Sequence, residues 1–509
     1  MKNKILDIKK LLIKVNSLKA NKKKIVLSHG VFDLVHAGHI LHFQESKKLG
    51  DILIVSLTAD NYVNKGPNRP IFSLRERIES IAQIDCVDYV VGNYSPTSIP
   101  MINLIKPNIY SKGLEYKKYS DDLTGNIIKE KKAVKKNGGA INFTKASIFS
   151  SSKIINNSSL NLTNSQQNFL SKIKKNGNIK FKKIQREIDS LKKLKILIIG
   201  ETMVDKYIFC ETLGKSGKDS YLALRELNSE KYVGGTLAIA KNLSTFCKKI
   251  TVLSYLGEKK EEEKFLTKNL DKNINFKFIK KKSSKTIVKT RFVETINNTK
   301  LMGAQTLNDK LLNNQQEKQF KNLVDREILK HDIVIVSDYG HGLITDKLAK
   351  IIMRKAKFLA VNAQINAANV GFHTISKYKN SNLVIINENE LRHEMRDKEK
   401  DLNLLLRDLS KKINTDYLAV TSGQEGVRVF DKIKNYIKEC PAFTFQVKDK
   451  IGAGDTLLAL LSPLIFKKFN LDFSMFVASL AAADNVQNIA NSKSINKTQI
   501  LKSLQSYIK

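Results

Sequence analysis

A chain of 509 residues, 42% of them apolar, is long enough for two or three domains with separate cores and too apolar to default to disorder. Its 88 lysines and arginines outnumber 49 acidic residues, for a net charge of +39. The lysines run along the whole chain among many asparagines, which reads as a compositional bias and not as a nucleic-acid-binding stripe. No apolar run reaches membrane-spanning length, and the basic N-terminus lacks the apolar core of a secretory signal. Cys86, Cys210, Cys247 and Cys440 form no CxxC pair, so free thiols and a cytoplasmic location are expected.

In chain order, a weakly amphipathic leading helix precedes KIVLSHGVF (24–32), an apolar run of strand character. GHILHFQESKKLG reads as a helix ending at Gly50, and DILIVSLTAD as the next buried strand. Strand, helix and strand at this spacing make a βαβ unit and hence a parallel sheet. Further strands are expected at Tyr89–Val91, Ile109–Ser111 and Ile141–Phe143. Residues 156–192 turn polar and read as a linker whose second half has helical character. A second block then opens with LKILIIGETMVD and continues through ITVLSYLG, DIVIVSDYG, FLAVNAQ, LVIINENE and YLAVTSGQEGVRVF, with helical patterns between most of them. The expectation is α/β, two doubly wound domains, over 1–155 and 193–509.

In the first block His36 and His39 bracket Gly38 where a strand gives way to a helix. Helix N-termini attract phosphate, Gly38 lets backbone approach, and two imidazoles could stabilise charge as an α-phosphate is attacked and pyrophosphate leaves. A zinc reading of His29, His36, His39 and His42 lacks the i, i+4 spacing and acidic partner of helix-borne sites. GVFDLVHAGH resembles the G-x-F-D-x-x-H-x-G-H signature of cytidylyltransferase-like nucleotidyltransferases, which have a Rossmann-like fold. The similarity continues through KGPNRP, SKGLEY and FSSSKIIN, covering about 24–156. It implies that His36 and His39 steady the transition state. It also implies nucleotide-binding roles for Gly30, Phe32, Asp33, Gly38, Lys65, Arg69, Lys112, Ser150, Ser151 and Ser152, with Tyr116 near the sugar phosphate.

In the second block Gly452-Ala453-Gly454-Asp455 precedes an apolar helix pattern. Such a turn can aim amides at phosphate, and Asp455 could take the proton from an attacking hydroxyl; the plainer reading is a glycine turn with an Asp cap. VKDKIGAGDT resembles the D-T-x-G-A-G-D signature of the ribokinase (phosphofructokinase B) family, and the similarity spans about 193–500. It implies that Asn387 and Glu390 organise magnesium and phosphate through water. Thr421, Gly423 and Gly426 would form the nucleotide loop, with Gly452, Ala453 and Gly454 as the anion hole. Asp205, Gly234, Gly235 and Asp338 would contact the sugar. The chain departs from the pattern at Ala238, where Asn is common, at Asn362, where heptose kinases carry Asp, and at Lys450, in place of Thr.

The pairing resembles the bifunctional heptose-phosphate kinase/heptose-1-phosphate adenylyltransferases of lipopolysaccharide-precursor synthesis, with the domain order reversed. The implied substrates are a sugar phosphate and a nucleoside triphosphate: ATP for the kinase with Mg2+, ATP or CTP as nucleotidyl donor. Relatives of this kind often self-associate, so a homo-oligomer fits the resemblance. Two other readings stay compatible with the residues: a glycerol- or polyol-phosphate cytidylyltransferase with a non-catalytic kinase-like domain, and a basic nucleic-acid-binding protein.

Overall fold

The computed structural model describes residues 4–64, 69–116, 126–144, 162–175, 181–444 and 447–508. The chain divides into two compact units, residues 1–162 with 501–509, and residues 163–500.

In the first unit five strands, β1 (Ile25–Gly30), β2 (Ile52–Thr58), β3 (Tyr89–Asn93), β4 (Ile109–Gly113) and β5 (Ala140–Thr144), form one parallel sheet in the order β3-β2-β1-β4-β5. The apolar runs of β1 and β2 are buried, as parallel strands covered on both faces require. Ile25, Leu27 and Ile54 pack toward Leu11 and Val15 of the leading helix Ile8–Ala20; Val26, Leu53 and Val55 pack on the opposite side with Phe43 and Ile81. Chain order reverses between β1 and β4, and a crevice at the carboxyl ends of those strands is where such sheets bind ligands.

Among the described residues the second unit has two sheets. Strands β6 (Lys195–Gly200), β9 (Lys249–Gly257), β10 (Ile274–Lys281), β13 (Ile333–Asp338), β14 (Leu359–Ala363), β15 (Leu383–Asn387), β16 (Tyr417–Thr421), β17 (Val427–Asp431) and β18 (Tyr436–Cys440) lie in the order β10-β9-β6-β13-β14-β15-β16-β17-β18. All neighbours are parallel except β16–β17 and β17–β18. The switch point falls between β6 and β13. Strands β7 (Thr202–Lys215), β8 (Leu222–Gly235), β11 (Ile287–Glu294) and β12 (Thr299–Thr306) form a smaller sheet, β12-β11-β7-β8, that the sequence pattern did not suggest. Its edge strand β12 is exposed almost throughout, so no apolar alternation advertises it.

The span 156–192, read from the sequence as a linker, carries helices Asn164–Lys175 and Phe181–Ser190. Their few apolar residues, Phe169, Leu170, Ile173, Ile184 and Ile188, recur at helical spacing and are buried. No helix among the described residues is long and apolar enough to cross a membrane.

Candidate functional site

In the first unit the end of β1 and the start of helix Ala37–Lys47 set the geometry. Phe32 takes a positive φ of 48°, and its ring folds back over Gly30. A Cβ on Gly30 would stand 2.8 Å from Phe32 Cζ, so the G-x-F spacing is a packing requirement. His39 meets the edge of the Phe32 ring at 5.3 Å. His36 caps the helix, its Nδ1 accepting from Gly38 N at 3.1 Å, and its ring stacks on His39 with centroids 3.9 Å apart. The two imidazoles therefore form one unit at a helix N-terminus, beside backbone amides that favour anions.

Asp33 is buried. Arg69 Nε donates to it at 2.5 Å, and the backbone amides of Ile71 and Phe72 donate at 2.7 and 3.2 Å. Asp33 thus fixes the segment that carries Arg69, whose buried Nη2 has no hydrogen-bond partner among the described residues. Lys112, at the end of β4, reaches His29 O at 3.4 Å and Glu130 at 3.6 Å, and lies over the Tyr116 ring at 4.9 Å. Lys65, Ser150, Ser151 and Ser152 lie outside the described residues.

The other two histidines of this cluster are structural. His29 bonds Ser56 Oγ at 2.8 Å, and His42 bridges Ser28 Oγ and Thr144 Oγ1 at 2.8 and 2.7 Å. Burial, with Lys112 close by, pushes His29 down to about 3 and His42 to about 4, so both stay neutral. Among the described residues no His, Cys, Asp and Glu cluster could hold a metal ion.

In the second unit Gly452, at φ 85°, is the N-cap of helix Ala453–Phe466. Ala453, Gly454 and Asp455 make its first turn, where amides lack intrahelical acceptors. Tyr339 donates its hydroxyl to Asp455 Oδ1 at 2.9 Å. Burial pushes Asp455 up to about 6, against the opposing Tyr339 hydrogen bond. Asp205 on β7 is buried and paired with Arg291 Nη1 of β11 at 2.7 Å. A Cβ on Gly234 would stand 2.4 Å from Asp205 Oδ2, and one on Gly235 2.4 Å from Glu201 O, so the diglycine makes room for that carboxylate and backbone.

Two residues expected at the ligand also make hydrogen bonds within the protein. Asp338, expected at the sugar, is 1% exposed and accepts from Tyr378 Oη at 2.6 Å, Lys377 Nζ at 2.5 Å and Gly340 N at 3.0 Å. It anchors the turn that carries Tyr339. Glu390 closes a capping box with Asn387, each backbone amide donating to the other's side chain at 2.8 Å, and also accepts from Ile365 N at 3.1 Å. Both of its oxygens are engaged, and burial pushes the carboxyl up to about 7. Thr421 ends β16; Gly423 and Gly426, both at positive φ, shape the turn into β17.

The family model for pfkB carbohydrate kinases matches residues 193–497, more than half of the chain. The chain belongs to the pfkB family. Ahead of the kinase, the cytidylyltransferase-like family model matches residues 27–157. A Bifunctional protein HldE of Campylobacter jejuni strain RM1221 is 27% identical over 62% of this chain and 67% of its own length. A Bifunctional protein HldE of Helicobacter pylori strain G27 is 46% identical over 22% of this chain and 24% of its own. The chain spans about two thirds of its Campylobacter jejuni relatives, at 64–68% of their length. A solved ribokinase-type chain from Agrobacterium tumefaciens, 11% identical, superposes with a TM-score of 0.51 over 62% of this chain and 99% of its own, so the fold is ribokinase-like.

Within the pfkB unit several residues escaped the sequence reading. Glu201 accepts from the amides of Tyr339, His341 and Leu343, organising the loop after β13. Asp449 accepts from Tyr207 Oη and Lys300 Nζ of the small sheet, each at 2.5 Å, and from Ile451 N and Ala490 N at 3.1 Å. The small sheet is thereby tied to the turn that leads into Gly452. The alternation KTRFVE, which puts Lys289 and Arg291 on one strand face, was the available signal for β11.

Proposed function

We propose that the chain is a bifunctional sugar-activating enzyme. Its pfkB unit phosphorylates a sugar or sugar phosphate of the heptose class with ATP. Its first unit transfers a nucleotidyl group from ATP or CTP to a sugar 1-phosphate and releases pyrophosphate, supplying precursors for surface polysaccharide. The observation that carries this reading is the presence of two phosphate-directed helix N-termini in one chain. One is capped by the stacked His36–His39 pair and the other holds Asp455 in its first turn.

In the kinase step Asp455 takes the proton of the attacking hydroxyl, Asp205 orients the sugar, and the amides of Ala453 and Gly454 receive the phosphoryl charge. In the transferase step the nucleophile is a phosphate oxygen of the substrate, and the His36–His39 pair with Arg69 and Lys112 balances charge on the phosphates. Each Glu390 oxygen accepts one backbone amide, which leaves a lone pair for a Mg2+-bound water, and no acidic cage stands beside it among the described residues. Mg2+ would therefore enter with the nucleotide, keeping most of its waters, with Asn387 and Glu390 reaching it through water.

The test is a turnover screen of sugar phosphates with ATP and with CTP, following ADP and pyrophosphate separately. His36→Ala is expected to abolish pyrophosphate release while ADP formation continues; Asp455→Asn is expected to do the reverse. Normal pyrophosphate release by the His36 variant would remove the transferase assignment, and normal ADP formation by the Asp455 variant the kinase one.

A further inference from the structure

The backbone of Tyr339 is gripped from two sides. Glu201 takes its amide at 3.0 Å. Its carbonyl accepts from Asn366 Nδ2 and Asn369 Nδ2, both at 2.9 Å, which fills its two lone pairs. Both asparagines lie on the short segment that follows β14. Asn369 is buried, and its other contacts leave its amide one orientation: Oδ1 accepts from Asn366 N at 2.7 Å, and Nδ2 also donates to Gln364 O at 3.3 Å. Asn366 Oδ1 accepts from Ala368 N at 2.9 Å. The segment is itself pinned at each end. Ile365 N donates to Glu390 Oε1 and His373 Nε2 to Asp338 O, each at 3.1 Å. Gly340 makes room for the arrangement, since a Cβ there would stand 2.4 Å from Asn369 Nδ2.

We infer that Asn366 and Asn369 are positioning residues of the kinase unit, a clamp on the Tyr339 backbone that brings its hydroxyl onto Asp455. Only two rotatable bonds separate a tyrosine ring from its backbone, so the place of the hydroxyl follows the place of the carbonyl. That hydroxyl donates to Asp455 Oδ1 at 2.9 Å and favours the carboxylate form that a general base needs. The charged groups that face Asp455 are Asp205 of β7 and Glu390, which oppose its ionisation, and Lys289 of β11, which favours it. The asparagines carry no charge and reach the carboxyl through Tyr339. The inference rests on the kinase reading above.

The experiment uses the full chain with carbon-13 at its aspartate carboxyl carbons. NMR follows the Asp455 signal, the one lost in Asp455→Asn, as pH is raised. Asn369→Ala should lift the midpoint of that titration by about half a pH unit or more, because the carboxylate loses a well-placed donor. In a Tyr339→Phe chain the same substitution should move it no further, since the hydroxyl through which it acts is gone. Asn366→Ala, at the less buried of the two asparagines, gives the same comparison should the Asn369 variant fail to fold. With a heptose phosphate and ATP–Mg2+, the acid limb of kcat/KM for ADP formation should shift by the same amount. A midpoint that stays in place, or that moves equally with and without the Tyr339 hydroxyl, would overturn the clamp and leave the kinase reading standing. A wild-type chain that forms no ADP with any sugar phosphate, while Asp455 still responds to Asn369→Ala, would remove the kinase reading and with it the part the clamp plays in catalysis.

Discussion

Burial and the Tyr339 hydroxyl act on Asp455 in opposite directions, and burial wins, leaving it at about 6. A general base must be ionised, so phosphorylation should fall on the acid side as pH drops through that value and level off above it. Tyr339→Phe removes a donor that favours the carboxylate. Its acid limb should therefore move to higher pH in a kcat/KM profile. Arg77 is a different kind of residue. It is 1% exposed and donates to Val31 O, Thr58 O, Phe72 O and Asp60 Oδ1, tying the ends of β1 and β2 to the segment behind Arg69. Arg77→Met leaves the buried carbonyls of Val31 and Thr58 unpaired and should destabilise the first unit by roughly 3 kcal/mol in denaturant unfolding. Tyr339 was legible only as the Tyr of DYGHG, which resembles the S-D-Y-x-x-G segment of heptose kinases, and Arg77 not at all. Their partners come from distant parts of the chain, which no local spacing marks.

At the level of elements, legibility followed burial. Strands sealed on both faces, such as β1, β6, β9 and β13, read as continuous apolar runs, and the glycine-histidine and glycine-aspartate turns stood out at their ends. The small sheet did not, because β12 and most of β8 are exposed and carry no apolar period. The N-x-x-E pattern of Asn387 and Glu390 was legible as a motif, but the capping box it forms needed the backbone. The diglycine makes a sharper case. Its Gly234 is held open by Asp205, so Gly234→Ala forces that carboxylate to shift. KM for the accepting sugar should rise about tenfold or more while KM for ATP changes little, a split readable in steady-state kinetics.

Across the whole molecule the +39 charge is the most conspicuous property and belongs to neither site. It supports association with any polyanion through counterion release. Random-sequence DNA should bind at low salt and be lost between about 50 and 200 mM, while ATP turnover stays nearly constant over the same range. DNA binding that persists at the higher salt would point to a dedicated nucleic-acid surface. The Asp449 carboxylate has a reach of its own. One pair of oxygens accepts from the small sheet through Tyr207 and Lys300 and from the run into Gly452 through Ile451. A sugar that settles the small sheet and a nucleotide that settles the turn then draw on a single equilibrium. Thermodynamic linkage requires the factor by which sugar sharpens ATP binding to equal the factor by which ATP sharpens sugar binding, and Lys300→Met should bring both toward unity together.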